Sequence, residues 1–253
     1  MTRSAIEGPS YFHLAMEGRV FAESAAFFSA LAWLPSLPAG DGHPVMLLPG
    51  FMGADSSTAA LRFALGRLGY AVYGWGGGRN EGAGDALDHV GRRLLRLHRD
   101  HDRGVSLIGQ SLGGIYAREM GRTYPHAVRT VVTLGSPFRF RSVFGHTNNV
   151  ASMEGTRMVA PHHGVEEDQR RQIDVPTTAI YSRSDGVVNW QACVQPEGPW
   201  HENIEVIGSH SGMAHHPAVL FAVTDRLAQP VTSWAPFRAP KSLSFLYPMP
   251  ALS

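Results

Sequence analysis

Cysteine is nearly absent from this sequence, which has only Cys193 among its 253 residues. One cysteine cannot form a disulfide within the chain, and a zinc site built from several thiolates is excluded. The thirteen histidines do not replace the missing ligands, because no H-E-x-x-H or similar metal-ligand spacing occurs. We therefore predict no metal and no cofactor. The composition is compatible with a reducing compartment, so we expect a cytoplasmic protein, while the sequence leaves secretion and membrane association open.

A surplus of either charge is also missing, since 22 Lys and Arg are balanced by 21 Asp and Glu. A nucleic-acid-binding protein usually carries a large basic field, so we do not expect a nucleic-acid partner. Arginines do concentrate at residues 92–103, but they alternate with apolar residues at a helical period. This pattern indicates the solvent-facing side of an amphipathic helix.

Long hydrophobic runs are missing as well. The most apolar stretch, VFAESAAFFSALAWLPSLPA at residues 20–39, is interrupted by Glu23. Its uninterrupted part, residues 25–34, is shorter than the roughly 20 residues that a membrane-spanning helix needs. A secretory signal would carry a basic leader directly before its apolar core, whereas acidic residues intervene here. We predict that residues 1–42 form an apolar helical segment that packs on the protein or on another surface, including peripheral contact with a membrane.

What the sequence does contain is an alternation of strand and helix patterns across residues 43–228. Strands are predicted at the start of 43–53 and within 70–75, 105–110, 127–137, 175–185 and 202–210; helices are predicted at 55–68, in the arginine-rich segment, after Ser111 and after Pro217. This order predicts an α/β protein with a mostly parallel, doubly wound sheet. Residues 138–173 lack this alternation of strands and helices, and we predict that they form a small cap insertion. Residues 229–253 are rich in proline, and we predict that they form an extended tail. The sequence does not indicate an oligomeric state.

A strand pattern ends in GQSLGG at residues 109–114 and turns directly into a helical pattern. Glycines two residues before and after Ser111 remove the Cβ atoms that would clash in so sharp a turn. A glycine-rich turn of any parallel sheet would have the same features, but the dinucleotide and phosphate-loop fingerprints are not matched. G-x-S-x-G between a strand and a helix is the pattern of a nucleophile elbow.

Suitable partners follow the ends of the other predicted strands. In parallel sheets, ligands bind outside the carboxyl ends of the strands. The turns at that edge would carry Phe51, Ser111, Asp185 and His210. These are the residue types that a serine hydrolase needs.

Residues 43–228 resemble the α/β-hydrolase superfamily, and within it the bacterial lipase and esterase branch, in the motifs LLPGFMG, GQSLGG, SRSDGVV and GSHSGM. The whole chain also resembles a group of bacterial α/β hydrolases of unassigned substrate. The motifs follow the superfamily order Ser, acid, His. The resemblance implies cleavage of a small-molecule or lipid carboxylic ester through an acyl-enzyme. One departure is Pro49-Gly50, where many relatives carry His-Gly. Epoxide hydrolases and haloalkane dehalogenases resemble this fold but carry Asp in place of Ser111.

The chemistry assigns a role to each residue. Ser111 would be the nucleophile, His210 the base and Asp185 the group that orients it, with the backbone N–H groups of Phe51 and Leu112 as the oxyanion hole. The alternatives are His201, His215 and His216 for the base and Asp168, Asp174 and Glu197 for the acid. Further substrate-contact candidates are Met52, Gln110, Phe144, Met158, Met213 and His215. Two other functions stay open: an acyltransferase on the same triad and a non-catalytic binding protein.

Overall fold

The sheet is the centre of the molecule in the computed structural model, which describes residues 9–138 and 173–248. Its six described strands are all parallel to their neighbours and follow the order β2-β1-β3-β4-β5-β6. The strands are β1 Pro44–Leu48, β2 Ala71–Gly74, β3 Val105–Gln110, β4 Val128–Leu134, β5 Thr177–Tyr181 and β6 His201–Glu205.

Helices connect and cover these strands. The α-helices are α1 Tyr11–Ala15, α2 Val20–Ala30, α3 Ala59–Arg67, α4 Ala86–His101, α5 Leu112–Thr123 and α6 Pro217–Ala228. Short 3₁₀ helices lie at Met16–Arg19, Leu31–Ser36, Asp55–Thr58, Trp190–Ala192, Met213–His215, Val231–Ser233 and Lys241–Leu246. Across 9–138 and 173–248, no helix combines the length and the apolar composition that crossing a membrane requires.

Each face of the sheet has its own hydrophobic core, because successive side chains of a strand point to opposite faces. On β1, Val45 and Leu47 join a buried cluster with α2, α3 and α6. Met46 and Leu48 join a second cluster with α4 and α5. The predicted α/β class and the doubly wound, parallel sheet are therefore confirmed. The predicted cap, residues 138–173, lies almost wholly outside the described residues.

The strand order reverses at β1. The chain passes from β1 to β2 on one side and then returns to β3 on the other side. In sheets of this kind the crevice for a ligand opens where the order reverses, outside the carboxyl ends of the strands. The turns after β1 and β3 flank that crevice, and they contain Phe51 and Ser111.

Two elements differ from the sequence prediction near this edge. The helix predicted at 55–68 starts as a 3₁₀ turn, and Asp55 accepts hydrogen bonds from the backbone of Trp75 and Gly76 at 2.9 and 3.2 Å. The strand predicted at 202–210 ends at Glu205. The following backbone is bound by Ser182 Oγ, which accepts from Gly208 N at 3.2 Å, so it forms a loop rather than more sheet.

The described part of the C-terminal tail is attached to the body of the protein. Phe237 N donates to Glu202 Oε2 at 2.7 Å, and Tyr247 Oη donates to the backbone oxygen of Ala218 at 2.7 Å. Both side chains, Phe237 and Tyr247, also pack against the hydrophobic core. The described part of the tail thus packs against β6 and α6.

Candidate active site

Ser111 occupies a strained turn between β3 and α5. Its φ is 49° and its ψ is −120°, in a region that residues other than glycine rarely adopt. Conformations of this kind cost of order 1–3 kcal/mol and cluster at functional sites. A Cβ atom on Gly109 would overlap the backbone of Gly113, and one on Gly113 would overlap Leu48. The two glycines therefore permit the close approach that the sequence pattern predicts.

The turn after β1 lies directly beside this serine. A Cβ atom on Gly50 would lie 3.2 Å from the Cβ atom of Ser111. Phe51 N–H has no hydrogen-bond partner within the described part of the chain, whereas the next amide, Met52 N–H, donates to Asn80 O at 2.7 Å. Leu112 is the first residue of α5, where N–H groups have no partner within the helix and the helix dipole is positive. Two amides at this crevice are thus suited to bind an oxyanion.

Asp185 and His210 form a hydrogen-bonded pair at the same edge. His210 Nδ1 lies 2.7 Å from Asp185 Oδ2, and both side chains are buried. The other carboxylate oxygen, Asp185 Oδ1, accepts from Val187 N and Val188 N at 2.9 and 2.8 Å. These bonds fix the carboxylate plane and leave Oδ2 for the imidazole. This arrangement puts the proton of a neutral imidazole on Nδ1 and the lone pair on Nε2, to which no side chain or backbone group of the described residues is hydrogen-bonded.

Residues of the neighbouring strand ends connect the Asp185–His210 pair to the serine turn. A Cβ atom on Gly135 would lie 3.2 Å from His210 Nδ1 and 3.3 Å from Asp185 Oδ2. The residue before Gly135, Leu134, accepts a hydrogen bond from Ser111 N at 2.9 Å. Gln110 Nε2 also donates to the backbone oxygen of His210 at 3.2 Å. Within the described residues, no hydrogen bond joins Ser111 Oγ to His210 itself.

The alternative acids and bases have other surroundings. His201 is the first residue of β6, at the amino edge, and its Nε2 contacts the Ile173 oxygen at 2.8 Å. His216 caps α6 by accepting from Ala218 N. Asp174 and Glu197 are exposed, whereas Asp168 lies outside the described residues.

The substrate-contact candidates lie in different environments. Met52 is exposed beside the crevice, and Gln110 is buried against the His210 loop. His215 is half-buried, with its ring against Phe27 at a centroid distance of 6.4 Å, and burial lowers its pKa. Met213 is fully buried within the core cluster, so the structure gives it a packing role instead of a surface for substrate. Phe144 and Met158 lie outside the described residues.

Asn80 is a residue of this site that the sequence analysis missed. Its side chain is fully buried, and its Nδ2 donates to Pro49 O at 2.8 Å. Its backbone exchanges two further bonds with the same turn, to Met52 N and Gly53 O, both at 2.7 Å. Asn80 therefore holds the turn that presents Phe51 N–H.

A second Asp–His–Ser arrangement lies at the opposite edge of the sheet. Asp41 Oδ1 is 2.5 Å from His43 Nδ1, and His43 Nε2 is 2.8 Å from Ser106 Oγ. His43 and Ser106 are completely buried, and burial lowers the pKa of His43 despite its contact with Asp41. No substrate can reach a serine inside a central strand. This set therefore joins the start of β1 to β3 as part of the core.

Comparison with known proteins gives matches to structures alone. No protein-family model and no curated protein matches the sequence. The mature lipase BlEst2 of Bacillus licheniformis aligns with a TM-score of 0.55 and 16% identity, over 76% of this chain and 94% of that one. The monoacylglycerol lipase of Paleococcus ferrophilus aligns with a TM-score of 0.53 and 14% identity, over 75% and 97%.

A third match carries the name of the fold. MGS-MChE2, an α/β-hydrolase enzyme from the metagenome of lagoon sediments of Mar Chica, Morocco, aligns with a TM-score of 0.50 and 20% identity, over 74% of this chain and 91% of that one. This chain has the α/β-hydrolase fold. The α/β-hydrolase fold hosts many reactions, so the reaction of this chain has to be argued from its residues.

Proposed function

We propose that the protein is a serine hydrolase that cleaves carboxylic esters through an acyl-enzyme. His210 Nε2 accepts the proton of Ser111 as Ser111 Oγ attacks the ester carbonyl, and Asp185 stabilises the imidazolium that forms. The N–H groups of Phe51 and Leu112 bind the oxyanion of the tetrahedral intermediate. His210 then protonates the leaving alcohol, and water releases the acid in a second, equivalent step.

The observation that carries this proposal is the strained serine turn beside the Asp185–His210 pair. The cost of the Ser111 conformation is unnecessary for a turn that only connects β3 to α5. The turn lies at the reversal of strand order, where a ligand has access. Two of the structural neighbours are lipases, which supports ester cleavage at a general level.

Activated esters test the proposal directly. The purified protein is incubated with p-nitrophenyl esters of increasing acyl length, and release of p-nitrophenolate is followed. A fluorophosphonate probe, which reacts with activated serines, is applied in parallel. The proposal expects turnover of at least the short esters and one labelled site at Ser111. Neither turnover nor labelling of a folded sample would overturn it.

We expect kcat/KM to rise with pH through a single titration with a midpoint above about 6.5, the ordinary pKa of imidazole. Burial lowers the pKa of His210, but the charge and hydrogen bond of Asp185, with the charge of Glu17, outweigh burial and raise the pKa. The imidazolium, which cannot accept the serine proton, therefore persists to higher pH. The measurement is kcat/KM for a p-nitrophenyl ester from pH 5 to 9, and a flat profile would exclude His210 as the base.

We also propose that the N-terminal segment rests on lipid surfaces. Tyr11, Phe12 and Phe21 are at least 70% exposed. In the described part of the helical segment, the charged side chains of Glu17, Arg19 and Glu23 instead bind loops of the protein. Apolar faces of this kind bury into the boundary between lipid headgroups and acyl chains. The double substitution Phe12→Ser, Phe21→Ser should abolish co-sedimentation with phosphatidylcholine vesicles. Phe63→Ser, an exposed aromatic on α3, is the matched control and should bind as wild type does; equal binding by all three proteins would contradict the proposal.

A further inference from the structure

One carboxylate contacts both catalytic loops of the proposed function. Glu17, in the 3₁₀ turn between α1 and α2, accepts hydrogen bonds through Oε1 from Gly186 N at 2.9 Å and from His210 N at 2.8 Å. Its Oε2 accepts from Ser211 N at 3.0 Å. These amides belong to the residue after Asp185, to His210 itself and to the residue after it. Glu17 therefore links the acid loop and the base loop from outside the sheet.

The N-terminal segment fits these loops closely. A Cβ atom on Gly186 would overlap the backbone oxygen of His13, and one on Gly212 would overlap the carboxylate of Glu23. Only glycine allows the segment to approach the two loops this far. The contact thus depends on the shape of the loops as well as on the charge of the segment.

Two neighbouring charges reinforce the link. Arg19 Nη2 lies 2.6 Å from Ser184 O and 2.7 Å from Gly208 O, so this side chain also spans both loops. Glu23 is buried, accepts from Ser209 N at 2.8 Å and forms an ion pair with Arg19 at 3.2 Å. Backbone groups bound to charged side chains in this way form stronger hydrogen bonds than neutral pairs do.

Glu17 also acts on the imidazole through its charge. Burial would raise the pKa of Glu17, but hydrogen bonds from the backbone of Ser211, His210 and Gly186 outweigh burial and lower it. Glu17 is therefore an anion at neutral pH, and with Asp185 it favours the protonated form of His210. The next charges along the segment, Arg19 and Glu23, act on the pKa of His216 in opposite directions.

We propose that Glu17 is a positioning residue of the active site, which fixes the Asp185 and His210 loops relative to each other and adds negative charge beside the imidazole. This inference rests on the proposed function, because it assigns Glu17 to the reaction of that site. It also gives the N-terminal segment a role in catalysis that its apolar composition does not indicate.

Glu17→Gln and Glu17→Asp separate the two effects. Glutamine keeps the length of the side chain but loses the charge, and its amide group cannot accept from all three N–H donors. We expect kcat to fall about 10- to 100-fold, because small displacements of catalytic groups cause losses of this size. The change in KM should be smaller. The midpoint of the pH profile should shift to lower pH. Aspartate keeps the charge but is shorter, so kcat should fall while the midpoint stays near that of wild type.

Glu23→Gln is the matched control. It removes a buried carboxylate that belongs to the same segment and binds the same loop, through Ser209 N. The charges that raise the pKa of His210 are those of Asp185 and Glu17, so the midpoint of the pH profile should stay unchanged in this variant. Circular dichroism and thermal unfolding of each variant show whether it is folded. If Glu17→Gln does not fold, Glu17→Asp still tests positioning through its kcat.

The outcomes distinguish this inference from the proposed function. Wild-type protein that neither turns over esters nor reacts with a fluorophosphonate would overturn the proposed function. Active wild type with wild-type kcat and midpoint in both Glu17 variants would overturn the inference and leave the function standing. An equal shift of midpoint in Glu23→Gln would also overturn the inference, because general loosening of the segment would then explain it.

Discussion

Ser111→Ala should reduce ester hydrolysis to a small residual rate. The variant lacks the atom that forms the acyl-enzyme, and loss of a triad nucleophile costs on the order of 10⁶-fold in kcat. What remains is stabilisation by the oxyanion hole and binding, worth roughly 10³- to 10⁴-fold over water. The measurement is turnover of a short p-nitrophenyl ester together with fluorophosphonate labelling. Turnover should fall to that residual rate and labelling should be lost, while the protein stays folded.

Ser106→Ala is the matched control for this experiment. Ser106 also contacts a histidine that is bound to an aspartate, but it lies buried inside β3. Its loss should lower the free energy of unfolding by about 1 kcal/mol, the net worth of a typical hydrogen bond. Labelling and turnover should persist. Near wild-type kcat in Ser111→Ala, or loss of labelling in Ser106→Ala, would contradict the assignment of the nucleophile.

The serine turn could be predicted because all the residues that such a turn needs lie close together in the sequence. A strand pattern, Gly109, Ser111, Gly113 and a helix pattern are all read within a few positions, and the structure shows why each glycine is needed. The parallel sheet follows in the same way from the alternation of elements, since this order leaves few other topologies. Strand ends were less predictable: Val206 and Ile207 continue the apolar pattern of the strand, but the strand ends at Glu205 and Gly208 N is bound by Ser182 Oγ in a loop.

Glu17 and Asn80 could not be found in this way. Glu17 accepts from backbone amides that lie 169, 193 and 194 residues along the chain. Asn80 donates to a backbone oxygen 31 residues away, from a loop whose glycines suggest nothing more than a turn. Every residue has a backbone N–H and a C=O group, so no sequence pattern marks those that a distant side chain will bind. Only the folded chain reveals residues that act on the backbone of a site.

Asp185→Asn should lower kcat by about 10⁴-fold with little change in fold. The backbone N–H groups of Val187 and Val188 both donate to Asp185 Oδ1. In the variant these two donors select the amide oxygen, because an NH₂ group cannot accept from them. The NH₂ group therefore faces His210 Nδ1, which has to act as an acceptor. The proton of the neutral imidazole then moves to Nε2, the atom that should receive the proton of Ser111.

The pH dependence of the variant tests whether the wrong tautomer causes the loss of activity. The tautomer lowers kcat at every pH, so raising the pH should not restore activity to the variant. His215→Asn is the matched control, because His215 is a half-buried neighbour that contacts Phe27 and not Asp185. Its kcat should change much less. Turnover by Asp185→Asn within about tenfold of wild type would show that Asp185 does not set the tautomer of the base, and a larger loss in His215→Asn would identify His215 as the base instead.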